Sequence, residues 1–382
     1  MIAVDCGTMF FCKSEIDDDN NISFTLERNI FAEVQKSLED PEDVLRDNNY
    51  SYIKYKDSYY VVGEDVFKVH DIESLFKSSG SHSYFSEVRR PMKSGLLNTA
   101  EEKMSIAIIQ QIIKKLVGKP RYEGEVLCFC VPGDPVNSAN NVIFHRMVLT
   151  NFVKSLGYTP ECINEAMALI YSECPISDDP DEEGGKARFS GVGMSFGSGM
   201  INCALSWRQL PLLTFSIEHA GDFIDEESAR IAGCDVASIT KYKEKHLDLT
   251  KDSSDIKHMA LQTYYAAMIE NTVRNFAAKF EKLDNKVGAL EIVVGGGTAL
   301  VPGFVEKFKQ VIMPMDLPFE IKDIRLAKNP LYAVANGCLI KAISVESKKK
   351  DPKSHVKKEL TEESKESDKD NKEKSPKKMK LE

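Results

Sequence analysis

The residues most capable of chemistry lie in two short stretches, each with glycines between two apolar runs. They span residues 2–12 and 191–205. An offset of 190 residues superimposes them and aligns three pairs, Asp5 with Ser195, Gly7 with Gly197, and Thr8 with Ser198. Glycine lets a turn approach a ligand closely, and exposed turn amides bind phosphate oxygens. Either stretch alone also fits an ordinary hairpin, but the pair predicts two similar halves that hold one nucleotide between them.

The elements that must position these turns follow from hydrophobic periodicity. A nearly continuous apolar run over 125–131 is typical of a central strand buried on both faces. Apolar residues at helical spacing predict a helix over 99–116, and further helices are expected over 137–156, 256–282 and 304–312. Strands that alternate with helices indicate a layered α/β fold.

Length and composition bound the class of protein. A chain of 382 residues suits two domains with ample core, and 42% hydrophobic with 29% charged residues fits a soluble protein with a charge-rich addition. The formal net charge of −9 argues against a nucleic-acid surface, so no direct nucleic-acid partner is expected. The nine cysteines are scattered without CxxC pairs, which favours buried, reduced thiols. With no apolar run of bilayer length, we expect a cytoplasmic protein with no transmembrane segment or evident membrane anchor.

The composition changes abruptly near residue 348. Residues 348–382 contain 13 Lys and nine Asp or Glu, a net charge of +4, and almost no apolar residues. Such a segment cannot bury enough apolar surface to offset the entropy of ordering it. We therefore expect a disordered, Lys- and Glu-rich tail over 347–382.

Five segments, taken in order, resemble the motifs of the actin-like ATPase superfamily, which includes actins, sugar kinases and the ATPase domains of heat-shock chaperones. The segments are Asp5-Cys6-Gly7-Thr8 as the first phosphate motif, 163–168 as the first connecting helix, 195–199 as the second phosphate motif, 293–298 as the adenosine motif, and 329–337 as the second connecting helix. Each motif is weak alone, whereas five in the family's order indicate the fold. The resemblance covers about residues 1–345 and is nearest to bacterial and archaeal actin homologues such as MreB and the plasmid-segregation actins.

The resemblance implies an α/β fold with two similar actin-like domains on either side of a nucleotide cleft. The implied boundaries are 1–157 with 330–346 for domain I, with a small subdomain near 26–88, and 158–329 for domain II, with a small subdomain near 221–286.

The resemblance also implies roles for individual residues. Asp5 would hold Mg²⁺ through water, because hard cations prefer carboxylate and water oxygens. Glu165, at the start of the first connecting helix, would orient the attacking water. The residues implied to bind the nucleotide are Gly7, Thr8, Gly197, Ser198, Gly199, Gly295, Gly296, Gly297 and Lys243.

Simpler interpretations of these residues stay open. Glu165 also suits a helix N-terminus, where the macrodipole favours a carboxylate. The glycines at 295–297 also suit a tight strand-to-helix turn. Lys241, Lys243 and Glu244 also suit a solvated helix face, which is the simpler interpretation of all three.

One departure from the family pattern concerns turnover. Ser195 stands where the family usually has Asp, and Met200 where it usually has Thr. Serine brings no negative charge to the metal shell, and a single catalytic electrostatic contact is worth about 3 kcal/mol, or about a hundredfold in rate. We therefore expect a slow ATPase.

The implied function is that of a cytoskeletal, actin-like protein. It would bind Mg²⁺ and ATP, with GTP as an alternative nucleotide, and its partner would be further copies of itself in a filament. The second class that the sequence allows is a non-polymerising, chaperone-like or scaffold ATPase of the same fold. Sedimentation with and without ATP separates the two.

Overall fold

The computed structural model describes residues 1–35, 38, 40–69, 84–136, 141–174, 189–283 and 288–350. Its strands are β1 (Ile2–Cys6), β2 (Phe10–Ile16), β3 (Ile22–Arg28), β4 (Phe31–Glu33), β5 (Tyr52–Tyr55), β6 (Ser58–Val62), β7 (Met92–Lys93), β8 (Leu96–Leu97), β9 (Val126–Val131), β10 (Thr159–Asn164), β11 (Gly191–Phe196), β12 (Ile201–Trp207), β13 (Leu210–Ile217), β14 (Leu290–Gly295) and β15 (Ile321–Leu326). Its helices are α1 (Pro41–Asp47), α2 (65–69), α3 (Ser105–Val117), α4 (Val142–Ser155), α5 (Glu165–Glu173), α6 (Gly221–Ala232), α7 (Val236–Lys245), α8 (Ile256–Phe280), α9 (Phe304–Ile312) and α10 (Ala333–Lys350), with a 3₁₀ turn at Gly297–Leu300.

Two five-stranded sheets share one internal order. The first runs β10-β9-β1-β2-β3 and the second β13-β12-β11-β14-β15. In each, three antiparallel strands joined by hairpins continue into two parallel strands. Strands β9 and β11 are buried along their whole length, and β9 is the continuous apolar run expected of a strand buried on both faces. The repeat that the 190-residue offset predicts is thus a repeat of whole sheets.

Helices α5 and α10 pack together between the two sheets. Their apolar side chains share one buried cluster with Ala3 and Cys128 of the first sheet and Ala204 and Val293 of the second. A Cβ added to Gly337 of α10 would lie 1.7 Å from the carbonyl oxygen of Ala168 in α5. Only glycine therefore lets the two helices approach so closely. This crossing confirms that the two segments predicted to connect the halves are helices and lie together.

The α/β fold with two similar halves is confirmed, and several boundaries differ from those expected. The helix predicted over 99–116 begins only at Ser105. Strand β10 pairs with β9 in the first sheet, so that sheet extends beyond the division expected after residue 157. Strand β15 was not predicted.

The chain near its C-terminal end also departs from expectation. Helix α10 continues to Lys350, so the first residues of the expected tail are helical. Lys349 in this last turn donates a hydrogen bond to the carbonyl oxygen of Gly124, 3.1 Å away. Residues 137–140 of the predicted 137–156 helix and residues 351–382 of the tail lie outside the described residues. In the described part of the chain, every helix is too short or too polar to cross a bilayer.

Candidate functional site

A cavity of about 400 Å³ lies between the turns of the two central hairpins. This volume is typical of small-molecule sites. Of the residues predicted to hold nucleotide, metal or water, ten line it, namely Asp5, Gly7, Thr8, Glu165, Gly197, Ser198, Gly199, Lys243, Gly296 and Gly297. Ser195 and Met200, the two departures from the family pattern, line it as well. The structure thus gathers into one cavity residues that are up to 292 positions apart in the sequence.

The two glycine turns face each other across this cavity. A Cβ added to Gly199 in the β11–β12 turn would lie 2.4 Å from the Thr8 hydroxyl oxygen in the β1–β2 turn. It would also lie 2.6 Å from the backbone nitrogen of Gly95. A side chain at position 199 would therefore force the two halves apart.

Both turns have the same steric requirement. A Cβ on Gly7 would lie 2.6 Å from the carbonyl oxygen of Phe10, and one on Gly197 would lie 2.9 Å from that of Met200. Phe10 and Met200 align at the same 190-residue offset. The equivalence of the two turns therefore extends to the contacts that make glycine necessary.

Asp5 and Glu165 bring two carboxylates into the cavity. The Cys130 thiol donates to Asp5 Oδ1 at 3.2 Å. Burial raises the pKa of the Asp5 carboxyl to about 6. The hydrogen bond from Cys130 acts in the opposite direction and offsets part of this rise. Burial also raises the pKa of Glu165 well above its ordinary value, and the neighbouring Asp5 charge adds to the shift. The two groups would therefore ionise more readily beside a bound cation.

The donor set fits a magnesium ion held jointly with phosphates. Mg²⁺ usually takes one or two carboxylates and completes its shell with water and phosphate oxygens. Among the residues that the structure describes, no three His, Cys, Asp or Glu side chains are grouped so that they could hold a metal by themselves. Asp5 would therefore hold the ion together with the ligand.

Asn202 is a site residue that sequence reasoning missed. It is fully buried on β12, and its Nδ2 donates to Glu165 Oε2 at 2.7 Å. Its Oδ1 accepts from the backbone nitrogen of Gly133 at 2.9 Å. Asn202 therefore fixes the Glu165 carboxylate relative to the loop that follows β9. An amide in the middle of the apolar run 200–205 was the signal that could have revealed it.

The second hairpin lines this end of the cavity with Ser195, which is polar but uncharged. Ser195 is 3% exposed and lies opposite Asn202 in the β11–β12 register. Neither residue carries a charge, so the aligned positions Asp5 and Ser195 contribute one carboxylate rather than two.

Lys243 does not lie on a solvated face. Its ammonium group forms hydrogen bonds of 2.7 and 2.8 Å with the two carboxylate oxygens of buried Asp225, which also accepts from Thr240. The Lys243 side chain is only 12% exposed. The solvated-face interpretation is therefore wrong for Lys243, whereas Lys241 and Glu244 are exposed as it expects, and Glu244 also lines the cavity.

The three consecutive glycines at 295–297 have different structural roles. Gly295 is outside the cavity lining, and a Cβ there would lie 2.9 Å from the Leu169 side chain of α5. Gly296 has φ of +93°, and its Cβ would lie 2.3 Å from the carbonyl oxygen of Phe196. Gly297 lines the cavity, and a Cβ there would meet no atom within 4 Å. Gly297 is thus the one of the three that leaves open space beside the cavity.

The two sheets have the same internal strand order, two helices pack between them, and a cavity lies between their hairpin turns. This arrangement defines an actin-like fold. The crystal structure of MreB 5 of Spiroplasma citri bound to AMPPNP is similar at a TM-score of 0.61 and 13% identity, covering 92% of this chain and 98% of that one. The MamK double helical filament is similar at a TM-score of 0.62 and 14% identity, covering 89% and 98%. MreB5 of Spiroplasma citri bound to ADP is similar at 0.57 and 14%, covering 92% and 98%. These likenesses confirm the actin-like fold predicted from the sequence.

The sequence also assigns the chain to one family. The chain belongs to the Volactin family, whose model matches residues 1–342. No curated protein sequence matches the chain.

Proposed function

We propose that this protein binds Mg²⁺-ATP in the cavity between its halves, hydrolyses it slowly, and uses the bound nucleotide to control assembly of its own copies into filaments. The observation that carries the proposal is the pair of equivalent glycine turns that face each other across the cavity, with Asp5 and Glu165 beside them. Turn amides and hydroxyls on two sides suit the β- and γ-phosphates of one nucleotide.

The rest of the lining suits the other parts of the nucleotide. Gly297 leaves open space, and apolar residues near it in the chain, before α10 and in the first turn of α10 offer surfaces for a planar base, namely Leu300, Val301, Pro330, Leu331 and Val334. The nearby Lys243 ammonium is already paired with Asp225, which favours a hydrogen-bonding role over neutralisation of phosphate charge. GTP stays an alternative nucleotide, because these surfaces do not distinguish the two bases.

Glu165 lines the cavity, and this placement supports a role in orienting water. Catalysis of phosphoryl transfer is mostly positioning and charge stabilisation, and a bound Mg²⁺ would supply the charge. The Asn202 amide holds the Glu165 carboxylate in one orientation, where it can accept a proton from water. Slow turnover follows from the uncharged Ser195 and Asn202 in the second hairpin.

Self-assembly is supported by the structural neighbours. The similar MamK structure is a double helical filament, and the similar MreB5 structures contain AMPPNP and ADP.

Ultracentrifugation tests the proposal, and we expect the chain to pellet with Mg²⁺-ATP and to stay in the supernatant without nucleotide. Nucleotide binding without pelleting at any protein concentration would favour the non-polymerising scaffold instead.

Ser195→Asp is expected to raise steady-state ATP turnover by about tenfold. The new carboxylate would lie opposite Asn202 and beside the cavity, where it would help to hold Mg²⁺ at the phosphates. The measurement is phosphate release at saturating ATP, together with ATP affinity. Ser206→Asp, at a buried position of the same sheet outside the cavity lining, controls for the cost of burying a charge. Unchanged turnover with weaker ATP binding would show that the site is adapted to serine.

A further inference from the structure

A single buried side chain forms hydrogen bonds with the carbonyl groups of the first glycine turn. Asn29 directly follows β3 and is fully buried. Its Nδ2 donates to the carbonyl oxygens of Gly7 at 3.2 Å and Thr8 at 3.3 Å. Its backbone nitrogen donates to the carbonyl oxygen of Met9 at 2.9 Å. One residue therefore binds three successive carbonyl groups of the turn.

These hydrogen bonds determine where the turn's amides point. In a planar trans peptide the carbonyl oxygen and the following N–H point in opposite directions. With the carbonyls of Gly7 and Thr8 directed at Asn29, the N–H groups of Thr8 and Met9 point away from it. Gly7, Thr8 and Met9 all line the cavity, so that opposite side is the one available to a ligand.

The second turn is held in the same way by other groups. The carbonyl oxygen of Gly197 accepts from the Thr298 hydroxyl at 2.7 Å and from the Gly221 nitrogen at 3.1 Å. The carbonyl oxygen of Ser198 accepts from the Asp222 nitrogen at 2.8 Å. The carbonyls that align at the 190-residue offset are therefore held in both halves by hydrogen bonds from other segments, although the donors are unrelated and those of the second turn also line the cavity.

Packing alone does not account for an amide at position 29. Asn29 Oδ1 is buried and has no hydrogen-bond partner among the described residues. A buried acceptor without a partner destabilises the folded state. The unpartnered Oδ1 of Asn29 therefore destabilises the folded state, while its Nδ2 donates to two carbonyls. The contribution of this side chain to the turn comes from the Nδ2 donor.

We propose that Asn29 and Thr298 are paired positioning residues that turn the backbone amides of the two glycine turns toward the phosphates of the bound nucleotide. This inference rests on the proposed function of the cavity. Neither side chain is assigned contact with the reacting atoms, since each acts through the turn carbonyls to which it donates. The property they control is affinity for the phosphates, separate from affinity for the nucleoside.

The test compares ligands with and without phosphates. Asn29→Asp keeps the size of the side chain but replaces the donor with a carboxylate that faces two carbonyl oxygens, and Thr298→Val removes the hydroxyl while keeping the shape. Affinities for ATP, ADP and adenosine are measured by calorimetry on the full chain. We expect each variant to bind ATP and ADP at least about tenfold more weakly, since each loses one or two hydrogen bonds to its turn, and to bind adenosine as the wild type does.

Tyr158→Phe is the matched control. Tyr158 is buried in the same half as Asn29, and its hydroxyl donates to the carbonyl oxygen of Val117 at 3.0 Å, away from the cavity lining. This variant loses a comparable buried hydrogen bond and should bind ATP with wild-type affinity.

Three results would count against the inference. Folded Asn29→Asp and Thr298→Val proteins that bind ATP as the wild type does would overturn it. An equal loss for adenosine and ATP would show a merely structural role. If Asn29→Asp does not fold, Thr298→Val decides alone. A wild-type chain that binds adenosine but neither ATP nor ADP would overturn the positioning role, whereas one that binds none of the three contradicts the proposed function itself.

Discussion

Glu165→Gln is expected to lower ATP turnover by about a hundredfold or more, because general-base catalysis contributes on that order. Gln has the shape of Glu but cannot take a proton from water. Glu165 is assigned to water and not to the phosphates, so ATP affinity should stay within about threefold of wild type. Single-turnover hydrolysis and equilibrium ATP binding separate the two effects.

A matched control for this variant lies on the preceding strand. Glu161 of β10 forms a partly exposed ion pair with Lys341 at 3.4 Å and is not part of the cavity lining. Glu161→Gln should therefore leave turnover unchanged. If Glu165→Gln instead lost affinity and kept its turnover per bound nucleotide, Glu165 would be a binding residue and the assigned role would be wrong.

Gly297→Val is expected to weaken ATP binding by roughly a hundredfold, or about 2.7 kcal/mol, without lowering the melting temperature of the nucleotide-free protein. The free protein has room for the new side chain, since a Cβ at Gly297 meets no atom within 4 Å. The side chain would occupy space that the bound nucleotide needs. Fluorescence titration with a labelled ATP analogue and thermal melting measure the two quantities.

Gly288→Val provides the comparison for this prediction. Gly288 also has no atom within 4 Å of an added Cβ, and it lies outside the cavity lining. It should change neither melting nor affinity. Wild-type affinity in Gly297→Val would mean that the nucleotide does not occupy this part of the cavity.

The features of the fold that could be predicted are those that produce a local pattern of residue types in the sequence. Each hairpin is two apolar runs around glycines, and the shared offset made Gly7 and Gly197 recognisable as equivalents. The glycine of the second connecting helix is likewise visible in its motif, although only the structure shows that Gly337 lies against Ala168. Such patterns predicted both hairpins, the connecting helices and ten of the residues that line the cavity.

The features that the sequence did not reveal depend on distant partners. Strand β15 carries polar residues and is covered on fewer sides than β9, so its apolar signal is weak. Asn202, Asn29 and Asp225 act through groups 15 or more residues away, and no local spacing encodes those contacts. The simpler interpretation of Lys243 as part of a solvated face fails because its partner Asp225 belongs to another helix.

Isothermal titration of the full chain with ATP in the presence of Mg²⁺ tests the central claim most directly. The cavity between the two turns has a volume of about 400 Å³, which is typical of small-molecule sites. We predict saturable binding of one ATP per chain, strengthened by Mg²⁺ and weakened in Gly297→Val. Absence of binding by ATP, ADP, GTP and GDP, for a chain that melts cooperatively, would contradict the account.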